Sequence, residues 1–253
     1  MTAHASRPNR QRLDLALVAR GLASTRARAR DLVLRGDVSV DGMVAAKPAM
    51  LVDVENHVAL LHGPSDYVSR GTLKLRAALA HFGFDTTGRI GLDIGASTGG
   101  FTQALIEDGA SRVFAIENGH GQLHPSLIGN PRVISFERTD ARKIDRGMVS
   151  HPIGAIVADV SFISLTKVLP PALALAANGC WLIALVKPQF EGDPHTIPRD
   201  GVVKDADARA SAVERINRFV GGQPRWRVTG TIPSPIHGGD GNIEFLLGAV
   251  LDD

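Results

Sequence analysis

The strongest restriction on the fold is an alternation that begins at Tyr67. An apolar helix face (Leu73, Ala77, Ala78, Leu79, Phe82) stopped by Gly83 leads into strand patterns IGLDI, RVFAIE, RVISF, GAIVADV and WLIALV. Helical stretches, among them FTQALIEDG and ADARASAVERINRFV, sit between most of these strands. Strands joined through helices pair in parallel and are covered on both faces, so the expected class is α/β with a doubly wound, mostly parallel sheet. The closing strands RWRVTGTI and NIEFLLGAV, separated by PSPIHGGDG, predict at least one antiparallel partner at the end of the chain. The longest apolar stretch, Ala172 to Val186, is broken by Asn178 and Gly179 and is too short for the roughly 20 residues that cross a bilayer.

Before Tyr67 the pattern is different. RLDLALVARG places Leu13 and Leu17, with Leu15 and Val18 on the adjoining face, at helical spacing ahead of a stop at Gly21. A second helix follows, capped by Ser24 or Thr25 and ended by Gly36, with Leu32 and Val33 as its apolar residues. VSVDGMVAA then signals a hairpin through Asp41-Gly42, and HVALL a further strand. The expected organisation is a small α+β domain over residues 1–62, a turn-rich linker over 63–68 and the α/β domain over 69–253.

Charge separates the same regions. Residues 1–35 hold eight arginines and two aspartates, whereas 63–253 hold nineteen basic and twenty acidic residues. Only the N-terminal end is built for a polyanion. Arg26, Arg28 and Arg30 fan around the second helix, and neither Arg26 nor Arg28 has an acidic residue four positions on; Arg12 and Arg20 come from the first helix. These arginines, with Arg70 of SRGTLKL, are the candidate RNA contacts, positioning phosphates without reading sequence. The start MTAHASRPNR has no apolar core of a secretory signal and Cys180 is the single cysteine, so the expected compartment is a reducing cytoplasm.

The first strand of the sheet runs directly into LDIGASTGGF, where Gly95, Ser97 and Gly100 occupy the spacing of a G-x-G-x-x-G loop. Small residues between strand and helix let backbone approach a ligand, and the helix start offers free N–H groups. The next strand ends at Glu117, placed to accept two ribose hydroxyls. A dinucleotide would need a glycine where Ser97 stands, and Asp93 just before the turn would repel phosphate. The same carboxylate suits an ammonium, which S-adenosylmethionine (SAM) has. The candidate cradle is therefore Asp93, Gly95, Ala96, Ser97, Thr98, Gly99, Gly100 and Phe101, the last facing the core, with Glu117.

Four more segments are expected where strands end on the ligand side: SRGTLKL (69–75), ADVSFISL (158–165), LVKPQFE (185–191) and GNIEFL (241–246). Together with ASTGGF and ERTDAR (137–142) they resemble the TlyA family, ribose 2′-O-methyltransferases of ribosomal RNA with an FtsJ-like, Rossmann-like SAM methyltransferase domain, historically filed as haemolysins. Residues 12–42 resemble the small S-four RNA-binding domain that precedes it in that family. The resemblance implies a catalytic tetrad of Lys74, Asp159, Lys187 and Glu244, SAM as cofactor, and ribosomal RNA or ribosomal subunits as partner. It also implies Asp140 near the adenine, where the family usually has asparagine, and Glu117 and His120 where it usually has aspartate and tyrosine.

The chemistry of such a tetrad stands by itself. A ribose hydroxyl attacking a sulfonium methyl must lose its proton, and a lysine removes it only if neutral when it acts. A second ammonium and partial burial favour the neutral form of a lysine, while carboxylates oppose it and fix geometry. On family analogy Lys187 is the base and the other three orient it and the ribose. Folded RNA suits the site better than DNA, which lacks the 2′-hydroxyl. The competing readings are a non-catalytic RNA-binding protein that keeps the fold, and a cytolysin, for which no spanning or strongly amphipathic basic segment exists. Cytosine C-methylation would need an exposed cysteine, whereas Cys180 begins an apolar strand. His195 in the loop 192–205 has no second ligand at metal spacing and is expected on a segment that covers substrate.

Overall fold

A computed structural model describes residues 10–23, 25–34, 37–45, 47–60, 67–192, 201–238 and 241–253. Ser24, Gly36, the linker stretch HGPSD and His195, along with Arg7 and Arg35, lie outside them. The chain divides into two units, Met1–Asp66 and Tyr67–Asp253.

In the first unit, β1 (Gln11–Arg12) leads into α1 (Leu13–Ala19), α2 (Arg26–Leu34), β2 (Val38–Val40), β3 (Met43–Val44), β4 (Leu51–Val52) and β5 (Val58–Leu60). Strand β2 lies between β3 and β5 with antiparallel pairing on both sides, and β1 pairs with β4. The hairpin turn has Asp41 at φ 50° and Gly42 at φ 81°. Two left-handed residues make the turn whose twist matches the flanking strands. Thr25 accepts the Arg28 amide and so caps α2. Leu13, Leu17, Leu32, Val33, Val38, Val40 and Val52 form the core. Leu15, expected on the apolar side of α1, is exposed instead, because a seven-residue helix packed on one partner buries a narrow face.

In the second unit, α3 (Gly71–Phe82), β6 (Ile90–Ile94), α4 (Gly100–Glu107), β7 (Arg112–Ile116), α5 (Pro125–Ile128), β8 (Val133–Phe136) and β9 (Ile153–Ala158) come first. They are followed by α6 (Leu165–Leu173), β10 (Ala176–Val186), α7 (Pro188–Glu191), α8 (Ala206–Gly221), β11 (Trp226–Pro233) and β12 (Phe245–Leu251). One seven-stranded sheet has the order β8-β7-β6-β9-β10-β12-β11. The first five strands are parallel, and β12 is antiparallel to both neighbours. The expected α/β class with an antiparallel closing strand is therefore the observed one. Its order reverses between β6 and β9, where helices leave the sheet on opposite sides and a crevice opens at the carboxyl ends.

Strand β10 shows why the sheet is buried on both faces. Cys180, Leu182, Ala184 and Val186 join the core beneath α6 and α8, while Trp181, Ile183 and Leu185 join that beneath α3 and α4. The apolar stretch before it divides into the end of a helix and this strand, and among the described residues no helix is long and apolar enough to cross a membrane.

SRGTLKL does not end a strand; residues 71–75 are the first turns of α3. On that helix Leu73 is exposed, and the buried residues are Thr72, Lys74, Leu75, Ala78 and Leu79. The expected face was thus rotated: a lysine occupies a buried position because a carboxylate meets it there.

Candidate functional site

The loop after β6 is shaped by what surrounds it. Gly95 has φ 83°, and a Cβ there would lie 2.5 Å from the Asp159 carbonyl oxygen. This glycine is required by the approach of the β9 end, over and above any ligand. At Gly99, φ 94°, a Cβ would collide with Leu127 and Leu123; at Gly100 it would meet Ser69 Oγ where α4 starts beside α3. Ser97 is also left-handed, at φ 48°. Its amide, 2.9 Å away, and that of Gly119, 2.6 Å away, donate to the two oxygens of Glu117, which fixes this carboxylate across the mouth of the loop. Ala96 and Thr98 are backbone anchors, to Ile116 and His124. Phe101 is buried in the core beside Leu75 and Leu79.

Asp93 lies fully buried beneath the loop, with Thr102 Oγ1 donating to Oδ2 at 2.6 Å and no partner for Oδ1. Burial pushes its carboxyl up to about 7, against the Thr102 hydrogen bond and with help from the nearby Asp159 charge.

Asp159 follows β9, Lys187 follows β10 and Glu244 precedes β12. Register aligns Ala158 with Ala184 and Val186 with Phe245, so all three residues stand at the same sheet edge as the glycine loop. Two ion pairs result. Lys74 Nζ, reaching in from α3, lies 2.5 Å from Glu244 Oε2, and Lys187 Nζ lies 2.6 Å from Asp159 Oδ1. The two lysine side chains are only 9% and 11% exposed, so these are not surface pairs. Lys187 also donates to Ser161 Oγ at 2.9 Å, a partner the sequence reading missed.

The segment after Asp159 holds a second missed feature. Phe162 is 91% exposed at φ 65°. A bulky residue held left-handed and bare to solvent costs backbone strain without any burial to offset it. Its ring lies 5.1 Å from that of Phe190, and both line a cavity of about 720 Å³ with Arg142, Lys167 and Arg215. Glu191 holds the frame: buried on α7, it accepts from Ser164 Oγ at 2.6 Å and the Leu165 amide at 2.7 Å, capping α6.

Asp140 caps the 3₁₀ turn Ala141–Lys143, and both its oxygens face Arg142, the closest contact being 2.7 Å. The Arg142 guanidinium holds this carboxyl down at about 2. Its extra charge relative to an asparagine is therefore already paired. Cys180 is buried, and burial pushes its thiol up to about 12, an inert state.

The N-terminal arginines are more committed than a solvated face would be. Arg12 forms a two-nitrogen bridge to Asp14, and Arg26 reaches the same carboxylate from α2, so its acidic partner comes from another helix and not from position i+4. Arg20 donates to the Asn56 and Asp53 carbonyls. Arg30 is exposed, Arg28 half-buried, and Arg70 stands at the start of α3.

Sheet order, glycine loop and lysine-carboxylate edge define a methyltransferase-type α/β domain, which follows a small RNA-binding-type unit in the chain. Residues 67–250 match the FtsJ-like methyltransferase family and residues 11–58 the S4 domain. The chain belongs to the FtsJ-like methyltransferases and, within them, to the TlyA family. It is 41% identical to the 16S/23S rRNA (cytidine-2′-O)-methyltransferase TlyA of Mycobacterium tuberculosis, over 94% of this chain and 89% of that one. It is 37% identical to a protein named Hemolysin A in Brachyspira hyodysenteriae, over 93% and 98%. A solved structure from Streptococcus thermophilus that also carries the name hemolysin superposes with a TM-score of 0.75 at 35% identity, covering 98% of this chain and 90% of that chain.

Proposed function

We propose that this enzyme transfers a methyl group from SAM to the 2′-hydroxyl of a cytidine in ribosomal RNA, in the cytoplasm. The observation that carries the reading is the pair of buried lysine-carboxylate bridges at the sheet edge beside the glycine loop. A protein that only bound RNA would have no use for two lysines withdrawn from solvent.

SAM, when bound, supplies an electrophilic methyl on a sulfonium. The loop from Gly95 to Gly100 would line it with backbone, Glu117 would hold its ribose, and Asp140 would serve its adenine end. Asp93 acts on the ammonium through charge from beneath the loop. Lys187 Nζ, once it has given its own proton to solvent, takes the proton of the attacking hydroxyl, its position set by Asp159 and Ser161. Lys74, clamped by Glu244, is the second cation of the site and orients the ribose. Phe162 offers a bare ring on which a nucleobase can stack, which accounts for its exposure. The N-terminal unit holds the RNA backbone through Arg12, Arg20, Arg26, Arg28 and Arg30, with Arg70 at the start of α3.

The test is a map of 2′-O-methyl groups on ribosomal RNA from cells with and without this protein. A ribose methylation should disappear with the gene and return with the wild-type protein but not with Lys187→Ala. An unchanged map refutes the reading.

A further inference from the structure

We propose that Asp14 is a positioning residue for RNA: its buried carboxylate holds the guanidiniums of Arg12 and Arg26 side by side as one clamp for a backbone phosphate. The proposal rests on the reading that the N-terminal unit binds RNA. Asp14 has no exposed surface, so it cannot meet RNA itself. Arg12 Nε reaches Oδ1 at 3.0 Å and its Nη2 reaches Oδ2 at 2.9 Å, while Arg26 Nε meets that same Oδ2 at 3.1 Å. Two nitrogens on one oxygen atom, one from the end of β1 and one from α2, bring the guanidiniums together, although like charges so close would otherwise splay apart.

Neither arginine is used up by the bridge. A guanidinium has five N–H donors in a fixed plane, and the bridges engage only the edge that faces Asp14. The side chains remain 39% and 55% exposed, so neither guanidinium is closed off by the bridge. The two arginines also hold the carboxyl down at about 2, which keeps the anchor charged at any physiological pH. Two cations on one anion leave a net positive site whose donors are pre-aimed, the condition under which a phosphate gains bidentate contacts without an ordering cost.

The consequence runs against simple charge counting. Removing an acidic group from an RNA-binding face should tighten binding if only net charge mattered. The clamp predicts the opposite. With purified ribosomal RNA as probe and the full chain throughout, Asp14→Asn should bind about tenfold more weakly, with a salt slope shallower by about one contact. SAM affinity and the single-turnover rate at saturating RNA should stay at wild-type values, a split that general loss of folding would not produce. Combining Arg12→Ala with Arg26→Ala should weaken binding further, and adding Asp14→Asn to that pair should change nothing more.

Asp14→Asn binding as tightly as wild type, or more tightly, overturns the clamp. If the Arg12→Ala, Arg26→Ala protein also binds normally, the RNA-binding reading of this face falls with it; if that protein binds weakly, only the role of Asp14 falls. Arg26→Lys leaves the Arg12 bridge in place and serves if Asp14→Asn fails to fold. It keeps the charge but loses the planar fork, so severalfold weaker binding supports the clamp and unchanged binding refutes it.

Discussion

The two units of this chain place opposite charges out of water. Between Tyr67 and Asp253 the cations are withdrawn: Lys74 and Lys187 lie at the sheet edge, each on a carboxylate. Between Met1 and Asp66 the anion is withdrawn, and Arg12 and Arg26 look outward from it. A lysine held in a partly dry site can exchange its proton with a substrate, whereas an arginine in water stays charged and can only hold one. The same pairing chemistry thus serves reaction in one unit and grip in the other.

The largest expected effect comes from breaking the buried bridge. Glu244→Ala leaves the Lys74 ammonium without its counter-ion and should cost about 3–5 kcal/mol of stability, read by denaturant unfolding. The double change Lys74→Met, Glu244→Leu should recover most of that stability while methyl transfer stays lost. Full activity in the double variant would make the bridge mere scaffolding. Deleting residues 1–62 is the matching break on the other side. RNA binding should weaken on the order of 100-fold and lose most of its salt dependence, with SAM affinity unchanged by calorimetry. Equal RNA affinity in the truncated protein would remove the division of labour.

A smaller effect sharpens the electrostatics of the loop. Asp93 is neutral below about 7 and charged above, and only the charged form attracts the SAM ammonium. SAM affinity should therefore rise severalfold between about pH 6 and pH 7.5, and Asp93→Asn should flatten that rise. A wild-type affinity independent of pH would separate Asp93 from cofactor binding.

Much of this was legible in residue order. Strand alternation gave the parallel sheet, and the left-handed Asp41-Gly42 turn followed from its dipeptide. What escaped depended on partners distant in the chain. Lys74, which the resemblance groups with Glu244, reads as part of a strand end, whereas it stands on α3 and meets that glutamate across 170 positions. Arg26 reads as unpaired when only its own helix is searched, because Asp14 lies on another. Gly95 reads as room for a ligand, yet the collision that forbids a side chain there is with the end of β9. Nothing in ADVSFISL marks the left-handed backbone that turns the Phe162 ring to solvent.

The most direct measurement is the single-turnover rate of methyl transfer to ribosomal RNA by Lys187→Arg, with SAM affinity measured alongside. Guanidinium keeps its charge but does not shed a proton near neutral pH. If Lys187 is the base, the rate should fall by roughly 10²–10⁴ with SAM binding intact. A near-normal rate in Lys187→Arg would contradict that role and leave Lys187 as a fixed positive charge.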